Sequence, residues 1–306
     1  MKPSFAIIGC GKVGMALAEY LSKAGYRPMG FSSRSLASAR QAAEIAGVPE
    51  CCFENIWNAP KTADIVFITT PDEVIKKSCR IIAEHKGFSE NAVVFHCSGA
   101  LASTELASAK SCHAKTGVMI GSMHPLQSFA AIKTGKSGNP FENIIMAVEG
   151  DPIAVEKART IAVDLGAKPF TIKTEGKILY HAAAVVASNY LVTLMDLAIK
   201  LMAASGVSES EAFEILKPLI QGTLTNIETT GIPEALTGPI ARGDVGIVEK
   251  HVQAIRLMPD RKAPKNLNDM VEYYSMNGVE TIKIARAKGT LSENAAKQLL
   301  KILEAD

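Results

Sequence analysis

Phe5-Ala6-Ile7-Ile8-Gly9-Cys10-Gly11-Lys12-Val13-Gly14-Met15-Ala16-Leu17-Ala18-Glu19-Tyr20-Leu21 is the stretch that decides the fold. It reads as an apolar strand, a G-x-G-x-x-G turn and an amphipathic helix in immediate succession. A lone G-x-G-x-x-G is weak, but this strand-turn-helix context is what a dinucleotide site requires. Gly9 permits the tight turn, Gly11 lets backbone approach a pyrophosphate, and Gly14 lets the helix pack close on the strand. The N–H groups around Lys12 and Val13 open the helix, and with its dipole they favour phosphate charge. The plainer reading is a glycine-rich turn without a ligand.

The next strand bears on which dinucleotide. Pro28-Met29-Gly30-Phe31 runs into Ser32-Ser33-Arg34-Ser35. A site that prefers NAD usually places Asp or Glu about 20 residues past the glycines, on the ribose hydroxyls. Here small hydroxyls and a guanidinium stand instead, and a planar fork suits a phosphate. Ser32, Ser33 and Arg34 are therefore expected to form a 2′-phosphate pocket, and NADP (NADPH) is the expected cofactor. A solvated arginine at a strand end is the alternative.

Working outward, strands and helices alternate through the first half. Ala63–Thr70, Ala92–Cys97, Val118–Met123 and Asn143–Val148 read as buried strands, and Asp151-Pro152 as an N-cap with proline at the first helical position. Such alternation builds a doubly wound, mainly parallel sheet with helices on both faces. Ligands bind at the carboxyl ends of its strands. Those ends carry Thr70-Pro71, Ser98-Gly99 and His124-Pro125. After Thr174 no strand pattern returns. Ile178 to Ser205 reads as one helix closed by Gly206, Ser208 with Glu211 and Thr290 with Glu293 as capping boxes. The expected organisation is an α/β dinucleotide-binding domain over 1–174 and an all-α domain over 175–306.

Composition fits a compact enzyme and excludes several classes. The chain has 306 residues, 47% hydrophobic and 21% charged, which argues against disorder. Net charge is +2 without a basic tract, so no nucleic-acid partner is expected. Six cysteines form no C-x-x-C pair, which suggests buried thiols and no metal site. Met1-Lys2-Pro3 leads straight into a core strand, so no signal peptide is read and the expected localisation is cytoplasmic. The long helix lacks formal charge from Ile178 to Met195, but His181, Ser188 and Asn189 interrupt it and Asp196 and Lys200 follow, so no membrane span is expected. A buried helix, covered by a second layer from the same or a partner chain, is expected, and with it a homodimer through the helical domain.

These residues carry a family resemblance. Ser98-Gly99-Ala100-Leu101, Gly121-Ser122-Met123-His124-Pro125-Leu126-Gln127-Ser128-Phe129, His181 through Asn189-Tyr190-Leu191, and Leu236-Thr237-Gly238-Pro239-Ile240-Ala241-Arg242-Gly243-Asp244 span nearly the whole chain. The sequence resembles the two-domain reductases that include 6-phosphogluconate, beta-hydroxyacid and prephenate dehydrogenases, ketopantoate reductase and pyrroline-5-carboxylate reductase. More narrowly, it resembles Rossmann-type proteins with a C-terminal helical domain of unknown function. The layout is similar to pyrroline-5-carboxylate reductase, but Gly238-Pro239 is followed here by Ile240-Ala241-Arg242-Gly243-Asp244, not by a glycine- and threonine-rich loop. His124-Pro125 looks like the His-Pro of prephenate dehydrogenases. Beta-hydroxyacid dehydrogenases use a lysine four residues before a helical asparagine, and alanine or valine fills that position before Asn189.

The resemblance implies hydride transfer between NADP(H) and a small, anionic carbonyl or imine substrate. The cofactor supplies the hydride; the protein supplies a proton and stabilises charge. Histidine suits the proton role. His124, just past a strand end, is the first candidate and His181 the second, with Asn189 on the same helix. Ser98, Thr237, Arg242 and Asp244 are the candidate substrate groups, Arg242 as a bidentate clamp unless it merely pairs with Asp244. Gly9, Gly11, Lys12, Val13, Gly14, Ser32, Ser33, Arg34, Thr70, Pro71 and Ser98 are the candidate cofactor groups. His85, His96, His113 and His251 are taken as structural or exposed. A different class of function also fits: a non-catalytic NADP sensor whose helical domain binds a partner.

Overall fold

The computed structural model describes residues 1–113, 117–129, 138–258 and 268–305. It divides the chain into two compact units, Met1–Ala187 and Ser188–Asp306. The first contains β1 (Ser4–Ile8), α1 (Lys12–Lys23), β2 (Arg27–Ser32), α2 (Leu36–Ile45), β3 (Ile65–Ile68), α3 (Asp72–Glu84), β4 (Val93–His96), α4 (Ala107–Lys110), β5 (Met119–Pro125), β6 (Ile145–Gly150), α5 (Pro152–Asp164), β7 (Lys168–Thr171) and α6 (Lys177–Val185). Among the described residues the strands form one seven-stranded sheet in the order β2-β1-β3-β4-β5-β6-β7. Only the β5–β6 pair is antiparallel.

The central strands β1, β3 and β4 are buried along their whole length, as expected where helices cover both faces of a parallel sheet. Period-two alternation divides their side chains between two cores. Phe5, Ile7, Phe67 and Phe95 pack with Leu17 and Leu21 of α1, Ala39 of α2 and Ile161 of α5. On the other face Ala6, Ile8, Val66, Ile68 and Val94 pack with Ile75 and Ile82 of α3 and with Leu106. The doubly wound reading of the sequence therefore holds.

Several local readings change. β5 runs to Pro125, so His124 lies inside a strand, not just past its end. β7 was not read from the sequence because it is four residues long, contains Pro169 and is exposed at the sheet edge, where proline is tolerated. Asp151 does occupy the N-cap position before Pro152. Its carboxylate, however, accepts from the Ile120 N–H (2.9 Å) and from Lys110 (2.7 Å) instead of capping. Only Cys10 and Cys79 are buried; the other four cysteines are half-buried.

In the expected helix Ile178–Ser205, α6 is followed by a π-turn, Val186–Tyr190, and then by α7, Leu191–Ala204. The turn carries Asn189 and shifts the phase of the residues after it, so His181 and Asn189 do not keep a regular helical offset. Gly206 closes α7 at φ +97°, with the Val207 N–H donating to Met202 O, as in a Schellman cap. The division between units falls at Ala187, 13 residues beyond the expected 174, because Lys177 at the start of α6 is buried in the first unit.

The second unit continues with α8 (Glu209–Thr230), α9 (Ile232–Ala235), α10 (Pro239–Arg242), α11 (Val245–Arg256), α12 (Asn268–Lys288) and α13 (Glu293–Leu303). Its core joins Ile240, Val248, Val252, Ile282, Leu299 and Leu303. The helix α7 buries no residue and α8 buries only Ala212, so the expectation of a buried helix fails within one chain. Residues Thr174–Ala204 are long and apolar enough to cross a membrane by length and composition, with mean hydropathy 1.6. Ser208 stands at the N-cap of α8, but its hydroxyl pairs with Ser210. The last helix is capped by Ser292, which accepts from the Ala295 N–H, and not by Thr290.

Candidate active site

The glycine turn has the shape that phosphate binding needs. Gly9 sits at φ +100°, and its N–H donates to Ser32 O (2.7 Å). A Cβ on Gly14 would lie 2.2 Å from the Gly9 carbonyl oxygen, whereas one on Gly11 would meet nothing within 4 Å. Gly14 is thus required for packing, and Gly11 faces open space. Gly11 is also the N-cap of α1, with no side chain capping it and no acid in the first turn. That leaves the first N–H groups of a 12-residue helix for an anion. Beside the turn, Thr69 Oγ1 donates to Gly9 O, and Thr70 Oγ1 is a buried atom without a hydrogen-bond partner. These residues fit a dinucleotide. Lys12 Nζ reaches Phe129 O (3.3 Å), which ties the turn to the loop after β5. Ser32 is buried at the end of β2, Ser33 accepts from the Cys10 N–H (3.3 Å), and Arg34 is exposed. Val13 lies half-buried in α1 and Pro71 is the N-cap of α3.

A second group lies at the carboxyl ends of β4 and β5. His124 Nδ1 shares a hydrogen bond with the Tyr180 hydroxyl (2.9 Å), the two rings edge to face. The His181 ring stands 6.2 Å from that of His124. Both imidazoles close over Gly99: a Cβ there would lie 2.6 Å from His181 Nδ1 and 2.8 Å from His124 Nε2. Among the described residues, His181 Nδ1 is the other buried polar side-chain atom without a partner. Burial, then the ammonium of Lys177 and the His181 ring, push His124 down to about 4. Burial pushes the Tyr180 phenol up to about 12. Near neutral pH the pair is therefore a neutral imidazole hydrogen-bonded to a neutral phenol.

Ser98 does not present a free hydroxyl. Its Oγ donates to Asp72 Oδ2 (2.7 Å) and accepts from the Ala100 and Leu101 N–H groups (3.2 and 3.0 Å). One donor and two lone pairs are thereby all used, so the side chain shapes the loop that delivers Gly99. His96 is fully buried beside Ser98: its Nδ1 accepts from the Ser98 N–H (3.2 Å) and its Nε2 donates to Ala102 O (3.1 Å). Burial and Lys177 push it down to about 4.

Within the second unit, Gly238 at φ +96° caps α10, and Pro239 opens it. Thr237 is exposed. Arg242 Nε and Nη2 both donate to Asp244 Oδ2 (2.9 and 2.8 Å), so this arginine is held by its own loop. Asn189 is exposed on the π-turn.

Sequence reasoning missed Tyr180, Asp72, Glu149 and Lys177. Tyr180 was adjacent to a chosen histidine, and its polar tip on an apolar helix was a usable signal. Lys177 and Glu149 carry the weaker signal of a charge at the edge of an otherwise apolar run, which usually means a solvated end.

Residues 2–125 match the family model described as a Rossmann-like domain, and residues 144–280 match that of a domain of unknown function, DUF2520. The chain is a Rossmann-like domain followed by a DUF2520 domain. No curated protein sequence matches it. Several solved structures share its fold over nearly full length. A Bacteroides fragilis protein, described provisionally as an NADP oxidoreductase, is 19% identical with a TM-score of 0.68, covering 94% of this chain and 98% of that one. A Thermotoga maritima protein is 26% identical with a TM-score of 0.61, covering 96% and 98%. An imine reductase from Myxococcus stipitatus, solved with NADP+, is 14% identical with a TM-score of 0.56, covering 99% and 93%. The fold is thus similar to that of NAD(P)-dependent reductases.

Proposed function

We propose that the protein is an NADPH-dependent reductase of a small carbonyl or imine substrate. The observation that carries this reading is the His124–Tyr180–His181 cluster over Gly99, at the same edge of the sheet as a glycine turn shaped for a dinucleotide. When bound, the cofactor supplies the hydride. Gly9, Gly11 and Gly14 with the start of α1 would hold its pyrophosphate, and Ser32, Ser33 and Arg34 would read its 2′-phosphate. The protein then has to deliver one proton. A histidine that stays neutral down to about pH 4 does not act as a cationic acid near pH 7, so the phenol of Tyr180 gives the proton and His124 relays its replacement. The unpartnered Nδ1 of His181 is buried against the Gly99 loop, so it would reach a substrate heteroatom only after this loop shifts.

Within the second unit, Arg242 with Thr237 and Asp244 remains our candidate for binding an anion, once its pairing with Asp244 opens. We further propose that the chain works as a homodimer through its helices. Leu179 of α6, Val192 of α7 and Leu219 of α8 are 74%, 69% and 69% exposed, which a second copy would cover. Sedimentation at micromolar concentration tests this, a monomer refuting it.

The cofactor is tested by calorimetry. NADPH is expected to bind about 10-fold or more tightly than NADH, with Arg34→Ala abolishing the difference, as a charge-assisted contact of roughly 1.5–3 kcal/mol implies. Equal affinities in the native protein refute the NADP assignment. Loss of NADPH absorbance with cyclic imines and 2-oxoacids, abolished in Tyr180→Phe, is the expected activity. Tight NADPH binding with no turnover on either class would favour the sensor.

A further inference from the structure

Strands β4, β5 and β6 bring His96, Ser122 and Glu149 into one transverse row, as direct partners across the sheet. Cross-strand partners project from the same face. On the other side of His96 the row continues through Ile68 of β3 and Ile8 of β1, so it turns from apolar to polar at β4. His96, Ser122 and Glu149 are 0%, 0% and 2% exposed. Into this row comes the side chain of Lys177, itself 1% exposed. Its Nζ donates to Ser122 Oγ and to Glu149 Oε1 (3.4 Å). Glu149 also accepts from the Ser103 N–H (2.8 Å), Ser103 Oγ (2.7 Å) and Thr174 Oγ1 (2.9 Å). Four donors on one carboxyl group suit a carboxylate, and a buried carboxylate needs a charged partner.

Well-packed apolar residues commonly replace such a pair without loss of stability. Its location suggests a further role. Tyr180 and His181 follow Lys177 by three and four residues, so they project from the same side of α6. Fixing Lys177 therefore fixes both. The charged and titratable groups facing His124 are Lys177, Tyr180 and His181 from α6, His96 from β4 and Asp72 from α3. Of these Lys177 is the basic side chain: burial lowers its pKa, and the Glu149 carboxylate beside it holds the ammonium form. That charge opposes protonation of His124 and His96 alike, while Asp72 favours it.

We propose that Lys177 is a positioning residue of this site: anchored on Ser122 and Glu149, it fixes the first turn of α6 so that Tyr180 and His181 meet His124 over Gly99, and its ammonium adds to burial in keeping that imidazole a neutral hydrogen-bonding group. The proposal rests on reading the cluster as the proton-handling site, but its test requires neither cofactor nor substrate, so it fails or stands separately from the reductase assignment.

The test is a titration of the histidine rings by NMR in the full-length protein. In the native chain His124 is expected to titrate near pH 4. Lys177→Met with Glu149→Gln removes both charges while leaving comparable volume, and should raise the His124 midpoint by about one unit or more. Lys177→Arg keeps the charge and should leave the midpoint low. A purely structural role would alter stability but not the difference between these variants. If the Met/Gln variant does not fold, Lys177→Gln with Glu149→Gln retains hydrogen bonding and carries the same expectation. A folded charge-free variant with an unmoved His124 overturns the proposal, as does Lys177→Arg raising the midpoint equally.

Discussion

The chain contains two histidine–tyrosine pairs of almost the same geometry. His124 and Tyr180 are 2.9 Å apart, with rings at 85°. His251 of α11 and Tyr274 of α12 are 2.8 Å apart, with rings at 83°. Pair geometry alone would give them the same chemistry. What separates them is the surroundings. His251 is exposed on its helix. Burial raises both phenols; the other pair has Lys177, His181 and His96 around it, rests on Gly99, and is desolvated enough to push its imidazole down. A hydrogen bond becomes chemically useful when its environment fixes the protonation of both partners.

The largest effect that would sharpen this contrast comes from the charge beneath the first pair. Lys177→Met alone leaves Glu149 buried without its counter-charge and should cost the first unit about 3–5 kcal/mol. Urea unfolding followed by the fluorescence of the single tryptophan, Trp57, reports on that unit. A cost near zero would mean the pair is not a buried ion pair.

Acid should separate the regions next. His96 and His124 stand at about 4, below the usual 6.5. As pH falls through 6.5 the unfolded chain takes up these protons first, so their contribution is level above that pH and is lost progressively down to about 4. The Trp57 urea midpoint should therefore fall between about pH 7 and about pH 5. An unchanged midpoint would contradict a neutral, buried His124.

Crowding gives a smaller effect. Gly99→Ala places a methyl within 2.8 Å of both imidazoles and should cost about 1–3 kcal/mol by the same fluorescence assay. It should also move the His124 ring signals. Gly138→Ala, in the same unit and where a Cβ meets nothing within 4 Å, is the control.

The smallest effect compares the pairs directly. Tyr180→Phe removes a part-buried hydrogen bond and should cost about 1 kcal/mol, whereas Tyr274→Phe should cost about half of that or less because water replaces the partner of the exposed His251. Equal costs would break the contrast between the two sites.

The cofactor half of the site was legible because its requirements are local. Gly9, Gly11 and Gly14 are needed by one turn and one helix start, and seventeen consecutive residues, Phe5 to Leu21, contain the whole argument. Alternating apolar runs likewise announced the doubly wound sheet and the change to helices after Thr174. Element ends were less legible. Ser292, not Thr290, caps the last helix, because two hydroxyls two residues apart give nearly the same signal.

The sequence by itself determined the strand-turn-helix, the class of sheet, the helical second half and the two imidazoles that meet at Gly99. Only the tertiary structure decided that Ser98 is spent on Asp72, that Arg242 is spent on Asp244, and that Tyr180 completes the histidine pair. It alone disclosed the row His96, Ser122, Glu149 and the lysine that enters it. The physical reason is range. Turn geometry and amphipathic period are set by neighbours within one or two turns of chain. Burial of a charge and its partners depends on strands 26 and 27 residues apart, His96 to Ser122 to Glu149, and no periodicity in the chain records which distant residues a sheet register will place side by side.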